Sequence, residues 1–428
     1  MSPTFSSLKI YNYRVYAAGA LISNTGTWMG RVAQDWLVLT QLTPHSSIAL
    51  GVVTGLQFAP LALLAPISGM ITDRFPKRRI LFVTQSAMAL TSLLTGILVV
   101  TGTVQLWHIF LLAVIQGVAT AMDNPARQTF VSEMVPHDSL SNAVGLNSAS
   151  FNAARLIGPG VAGLVIAAFH TGPAFFVNTL SFVAVLFALA RMRPEELNIT
   201  PRHRGKGQIR EGLRYVRGRP DIILIMVLVF VLGTFGMNFQ MTTALMATVV
   251  FHKGAGGYGL LGSIMAIGSL SAALLSARRP HPRLRVLLMA FAAFTVASAA
   301  LALAPSYNWF AVLLIPVGLT ALTVMTTANS MVQLSVAPAM RGRVMAIYMA
   351  VFMGGTPLGS PLIGWIGSAW GPRWTILIGS VATGLTILAA MMYLVRSEGM
   401  HLRYQRRQRP RFSLIRGEIR ESVPEVAI

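Results

Sequence analysis

Twelve long apolar stretches follow one another along this 428-residue chain, and no other feature of the sequence constrains the fold as much. They run near 14–40, 47–71, 80–101, 105–127, 141–168, 173–191, 221–250, 259–277, 286–304, 308–331, 343–369 and 374–395. A helix needs roughly 20 mostly apolar residues to cross a bilayer core. In lipid, every backbone N–H and C=O must be paired internally, so such stretches form helices. Charged residues make up 11% of the chain, against about a quarter in soluble domains. The expected class is an all-α membrane protein with twelve transmembrane helices.

A net charge of +21 would suit a nucleic-acid binder, but its distribution argues otherwise. Of 34 Lys and Arg, only Lys253 and Arg373 fall in odd-numbered loops, and only Arg31 and Arg155 lie inside spans. That bias is the positive-inside rule, and it places both termini in the cytoplasm. Membrane topology accounts for the basic character, so no nucleic-acid partner is expected.

The absence of cysteine excludes disulfides, thiolate metal sites and a cysteine nucleophile. None of the eight histidines pairs with another ligand at metal-binding spacing, so neither a metal nor a cofactor is expected. None of the lysines at 9, 77, 206 and 253 sits in a phosphate-binding loop, so any pumping must draw on an ion gradient or a separate subunit. The first stretch carries Arg31 and Asp35 and is too long for a signal peptide.

The longest polar interruption splits the stretches six and six. The expected layout is an N-terminal six-helix bundle over 1–192, a cytoplasmic linker over 193–219, a C-terminal six-helix bundle over 220–396 and a basic cytoplasmic tail over 397–428. In the linker, Ile209, Leu213 and Val216 share one helical face and Arg210, Arg214 and Arg217 another. That pattern suits a short helix on an anionic leaflet, or a solvated basic linker. The tail suits lipid-surface contact or disorder. Pro136 and Pro159 stand 23 residues apart, as do Pro338 and Pro361, the two pairs being offset by 202. With the six-plus-six layout, this favours two pseudo-repeats.

Three local patterns carry a family resemblance. Gly69-Met-Ile-Thr-Asp73-Arg74-Phe-Pro-Lys77-Arg78-Arg79 joins the second and third stretches and resembles the major facilitator superfamily signature G-x-L-A-D-R-x-G-R-K-R. Pro76 replaces its second glycine. Ala154-Arg155-Leu-Ile-Gly158-Pro159-Gly160-Val-Ala-Gly163 resembles the antiporter motif g-x-x-x-G-P-x-x-G-G, with alanine at the first and ninth positions. Trp28-Met-Gly-Arg31-Val-Ala-Gln34-Asp35-Trp36, Asn124-Pro125-Ala126-Arg127-Gln128 and Arg341-Gly342-Arg343 resemble the branch of bacterial drug and siderophore exporters that includes the enterobactin exporter. The resemblance implies the major facilitator fold, a bacterial inner-membrane location and proton-coupled export. It implies a conformational latch at Gly69, Asp73, Arg74 and Arg78, and an export-associated motif at Arg155, Gly158, Pro159 and Gly163. One departure stands out: the span-four proton relay R-x-x-Q-G would need arginine where Ala113 stands, so coupling through that arginine is excluded.

Charges inside spans cost roughly 2.5–3.5 kcal/mol each on insertion scales, so each invites a reason. Asn24, Thr27, Arg31 and Asp35 form one stripe at helical spacing on the first span. Gln116, Thr120, Asp123 and Arg127 form another on the fourth, and Ser148, Asn152, Arg155 and Pro159 a third on the fifth. Asp35, paired with Arg31 one turn earlier, is the expected proton carrier; the alternative is a static neutral pair. Asn24, Thr27, Gln34, Gln116 and Asn238 are candidate cavity residues, and Asp123 with Arg127 a structural charge network. Trp28, Met237 and Phe239 would suit an amphipathic or aromatic substrate, or simply pack.

The expected function is secondary active transport by alternating access: proton-coupled export of a small amphipathic molecule such as a drug, siderophore or secondary metabolite, with protons and lipid as the other partners and a monomer as the unit. Uptake or facilitated diffusion by the same fold is the alternative within transport. A non-transporting scaffold or an embedded enzyme is the alternative of another class. An enzyme should cluster histidines or acids at one membrane face, and a scaffold needs no buried charge stripe.

Overall fold

The computed structural model describes residues 3–198, 208–277, 282–398, 401–404 and 412–415. Its helices are α1 (Tyr11–Leu37), α2 (Ser47–Leu63), α3 (Ala65–Arg74), α4 (Lys77–Val100), α5 (Leu106–Met134), α6 (His137–Phe169) and α7 (Thr171–Arg191). They continue with α8 (Gln208–Arg217), α9 (Pro220–Val231), α10 (Phe239–Leu245), α11 (Ala255–Ala277), α12 (Leu284–Ala302), α13 (Tyr307–Ser335), α14 (Pro338–Trp370) and α15 (Pro372–Glu398).

The starts follow local chemistry. Pro220 and Pro338 open α9 and α14, where a missing N–H costs no helical bond. The Ser46 hydroxyl accepts from the Ala49 N–H and caps α2. Between α2 and α3 the axis bends by 59°, beside Pro66, which has no N–H to return to the preceding turn. The seventh apolar stretch is also interrupted. A π-helical turn over Leu232–Gly236 ends in non-helical backbone at Met237 and Asn238 before α10 begins. The proline offset has a structural counterpart: α5 and α13 each run 29 residues, and α6 and α14 each run 33.

Among the described residues, ten helical segments are long and apolar enough to cross a membrane, or eleven when the bent pair α2–α3 is one span. The expected twelve is therefore not reached on apolarity. The polar stripe of α1, from Asn12 to Asp35, keeps that 27-residue helix outside the set.

Helices α1 to α7 pack mainly on one another, as do α9 to α15; the two groups meet where α2 lies on α14 and α6 on α11. Small residues make these seams. A β-carbon at Gly163 would lie 2.8 Å from the Ala255 carbonyl oxygen, and one at Gly55 would lie 3.0 Å from the Pro361 ring. Ser47 donates to the Gly364 carbonyl across the same seam at 2.7 Å. These contacts lie at the end of the molecule remote from the linker helix. Toward the linker end, Gly69, Gly145 and Gly342 have open space where a β-carbon would stand.

The linker helix forms where its pattern expects, but much of it lies on protein rather than on a lipid surface. Val216 is buried, a β-carbon at Gly212 would meet Ile347 and Arg343 of α14, and Glu211 pairs with Arg343 at 2.6 Å. Leu213 stays exposed beside Arg210, Arg214 and Arg217. Residues 199–207 of the linker lie outside the described part. In the tail, His401–Tyr404 and Phe412–Ile415 form a two-stranded antiparallel ribbon; the expectations for the rest fall outside the described residues.

Candidate substrate and coupling site

The stripe on α1 splits into two environments. Asp35 is buried, and its carboxylate accepts a hydrogen bond from the Tyr258 hydroxyl at 2.8 Å. The same hydroxyl lies 3.2 Å from the Gln240 carbonyl oxygen. Tyr258 is on α11 and Gln240 on α10, so the acid of one helix group is tied to the other group. The expected Arg31–Asp35 ion pair is not among those formed. Helical geometry explains why: side chains lean toward the N-terminus of their helix, so Arg31 lies back over Trp28 and away from Asp35.

The Arg31 guanidinium carbon is 5.0 Å from the centre of the Trp28 ring and 5.3 Å from that of Phe58. Arg155, reaching over from α6, lies 5.4 Å from the same Trp28 ring. Phe151 meets Trp28 edge-on at 6.0 Å. Gly158 allows this approach, because a β-carbon there would stand 2.6 Å from the Trp28 β-carbon. Ring contacts of this kind contribute up to about 2 kcal/mol when desolvated, which offsets only part of the cost of an in-membrane guanidinium.

Beside Arg31 lies a small polar cavity lined by Gln34, Gln57, Ser92, Thr95, Gln116 and Asn178. Gln34 and Gln116 are thus where the sequence pattern placed them, facing one cavity. The other candidates are not. Asn24 instead accepts from Arg127 at 3.3 Å, and the Thr27 hydroxyl returns to the Ser23 carbonyl within α1. Asn238 lines a separate cavity in the other helix group, with Phe235, Thr242, Ser298 and Thr375. Phe239 stacks edge-on against Phe294 as packing.

Asp123 is fully engaged. It accepts from Arg127 at 2.9 Å, from Thr84 at 2.8 Å and from Gln85 at 2.7 Å. The arrangement is that of a buried structural network, with Tyr16 and Phe130 packed edge-on beside it.

In the segment after α2, Asp73 is exposed and joins no ion pair among the described residues. Arg78 instead donates to the carbonyls of Leu189 and Ala190 at the end of α7, and Lys77 pairs with Glu133. The residues of the span-five motif lie on two seams. Arg155 and Gly158 face α1, while Pro159 and Gly163 face Gly259 and Gly262 of α11.

Sequence reasoning missed Tyr258, Gln57, Ser92 and Asn178. None carries a charge or a spacing that marks it out. Gln57 lies on α2, Ser92 on α4, Asn178 on α7 and Tyr258 on α11, and only the tertiary packing of these helices brings them to the stripe.

The family model for transmembrane secretion effectors matches residues 2–412. Among curated relatives, the multidrug efflux pump Tap of Mycobacterium tuberculosis is 28% identical over 404 residues, covering 86% of this chain and 90% of that protein. The staphyloferrin A transporter of Staphylococcus aureus is 31% identical over 166 residues, or 38% of this chain. That match spans 41% of the staphyloferrin A transporter, under half its length. Among solved structures, a D-xylose–proton symporter superposes with a TM-score of 0.69 at 12% identity, covering 89% of this chain and 96% of that one. A bacterial homologue of the human lysosomal transporter Spinster, inward-facing and unoccupied, superposes at 0.66 and 15%, covering 92% and 98%. Motifs, fold and family model agree: the chain belongs to the transmembrane secretion effectors of the major facilitator superfamily, and is a multi-pass membrane protein.

Proposed function

We propose that this chain exports a small amphipathic molecule in exchange for protons, by alternating access of two six-helix bundles, 1–192 and 220–396, in a bacterial inner membrane. Both termini, the linker and the tail face the cytoplasm. The observation that carries the reading is the Asp35–Tyr258 bond. A buried acid on α1 holds the opposite bundle at the packed end of the molecule. An ionised carboxylate accepts a stronger hydrogen bond than a neutral one, so a proton reaching Asp35 loosens that end.

The rest of the architecture supports the same cycle. Small residues pack the seams at the end remote from the linker, while Gly69, Gly145 and Gly342 stand clear at the linker end. These seams support an inward-facing reading, in which Asp73 is not engaged in an ion pair among the described residues. In the outward-facing state the latch would close on the other bundle. The efflux named in relatives such as Tap favours outward movement of substrate.

The test is transport into inverted membrane vesicles with and without an imposed pH gradient, across a panel of dyes, antibiotics and siderophores. Accumulation that collapses with the gradient supports exchange. The Asp35→Asn variant should lose gradient-driven accumulation yet keep substrate exchange. Normal accumulation by that variant would make Asp35 a structural group only.

A further inference from the structure

Two guanidinium groups inside the helix bundle have no carboxylate in ion-pair contact among the described residues, the attraction of Asp35 reaching Arg31 from one turn away. Three acids are buried among the described residues, and each is committed: Asp35 to Tyr258, Asp123 to Arg127, Thr84 and Gln85, and Glu133 to Lys77. Arg31 and Arg155 form no ion pair among the described residues, and the buried Nε of Arg31 has no hydrogen-bond partner. Both guanidinium groups touch the ring of Trp28, with Phe58 and Phe151 alongside, and Arg31 also faces the polar cavity of Gln34, Gln57 and Gln116.

Each guanidinium is a planar fork of donors shaped for a carboxylate, and it is always charged. A cation would be repelled by the pair. A small inorganic anion would leave three aromatic rings without a contact. We propose that Arg31, Trp28 and Arg155 bind an organic anion, its carboxylate between the two guanidinium groups and its aryl or apolar body on Trp28, Phe58 and Phe151. Gly158 sets the spacing, since it lets α6 approach α1 closely enough for Arg155 to reach the ring. That the bound anion is also the exported molecule rests on the transport reading above; the binding itself does not.

Equilibrium binding to the purified full-length chain tests this, with three probes of one shape: 2-naphthoate, 2-naphthamide and 2-naphthylmethylammonium. Naphthoate should bind saturably. Arg31→Gln and Arg155→Gln should each weaken it roughly tenfold or more, as expected for losing a charged hydrogen bond. Naphthamide should bind weakly to every version. Arg31→Lys and Arg155→Lys, which keep the charge, should bind naphthoate better than the glutamine variants and show that the site folds. The proposal is overturned if the amide or the ammonium binds as tightly as the acid. It is equally overturned if the glutamine variants keep full affinity, or if a monodisperse protein binds no naphthoate. Gradient-driven transport of a neutral dye without naphthoate binding would remove this site and leave the transport reading. Naphthoate binding without gradient-driven transport of any substrate would do the reverse.

Discussion

Tyr258→Phe removes one hydroxyl and almost no volume, so it isolates the bond that joins the two helix groups. In the structure that hydroxyl is 2.8 Å from the Asp35 carboxylate, in a buried position. A hydrogen bond to a charged group contributes about 1.5–3 kcal/mol, which corresponds to roughly 10–150-fold in an equilibrium constant. The variant should shift the balance by that factor away from the state packed at the end remote from the linker. The chain has no cysteine, so Thr103→Cys, in the exposed loop before α5, and Asn308→Cys, in the exposed first turn of α13, can carry spin labels without background. Double electron–electron resonance in nanodiscs should show the longer-distance population growing in Tyr258→Phe, and growing in the unchanged protein as pH falls. Asp35→Asn should produce a similar shift, and the double variant little more, since both remove one interaction. An unchanged distance distribution, or fully additive shifts, would refute the reasoning.

Asp73→Asn should slow transport at normal abundance, because the exposed acid has no folding role in this state; equal turnover at equal expression would count against the latch. Gly163→Val should drive branched carbons against the Ala255 carbonyl and Gly259, costing about 1–3 kcal/mol at the packed seam, read as lost transport and a longer Thr103–Asn308 distance. Asp123→Asn should lower the detergent melting temperature and membrane abundance, since about 3–5 kcal/mol is lost when one partner of a buried pair is removed. Reporter fusions at the linker and the tail should both report a cytoplasmic location; a periplasmic tail would invert the topology.

The helices were legible because each apolar stretch is near bilayer length and the breaks carry proline or charge. The offset of Pro136 and Pro338 reappears in the equal lengths of α6 and α14. The span count was less legible: the polar stripe of α1 keeps that helix below the apolarity of a membrane span, so the expected twelve is not reached among the described residues. At the candidate site, spacing singled out Arg31, Asp35, Gln116 and the Asp123–Arg127 pair, but not Tyr258, Thr84 or Gln85 as further partners. An i,i+4 relation on a helix permits an ion pair without saying which way each side chain leans. Arg127 and Asp123, in the order that lets the arginine lean back onto the acid, form their pair; Arg31 and Asp35, in the reverse order, do not.

The position of α6 gives these pieces a common mechanical setting. Its residues 155 and 158 face Trp28 on α1, and residues 159 and 163 face Gly259 on α11. The same two helices, α1 and α11, are joined directly by Asp35 and Tyr258. The three helices therefore close a triangle in which one side is a hydrogen bond and two are seams of small residues. Packed seams of this kind do not deform continuously; a β-carbon at Gly158 or Gly163 would already collide with a neighbour. A ligand on the proposed arginine site would load the α1–α6 seam, and any shift of α6 toward Trp28 would draw Pro159 away from α11. Loss of the Asp35 bond would free the remaining side. The proposed anion site and the Asp35–Tyr258 bond thus share α1, and a change at either bears on the same triangle.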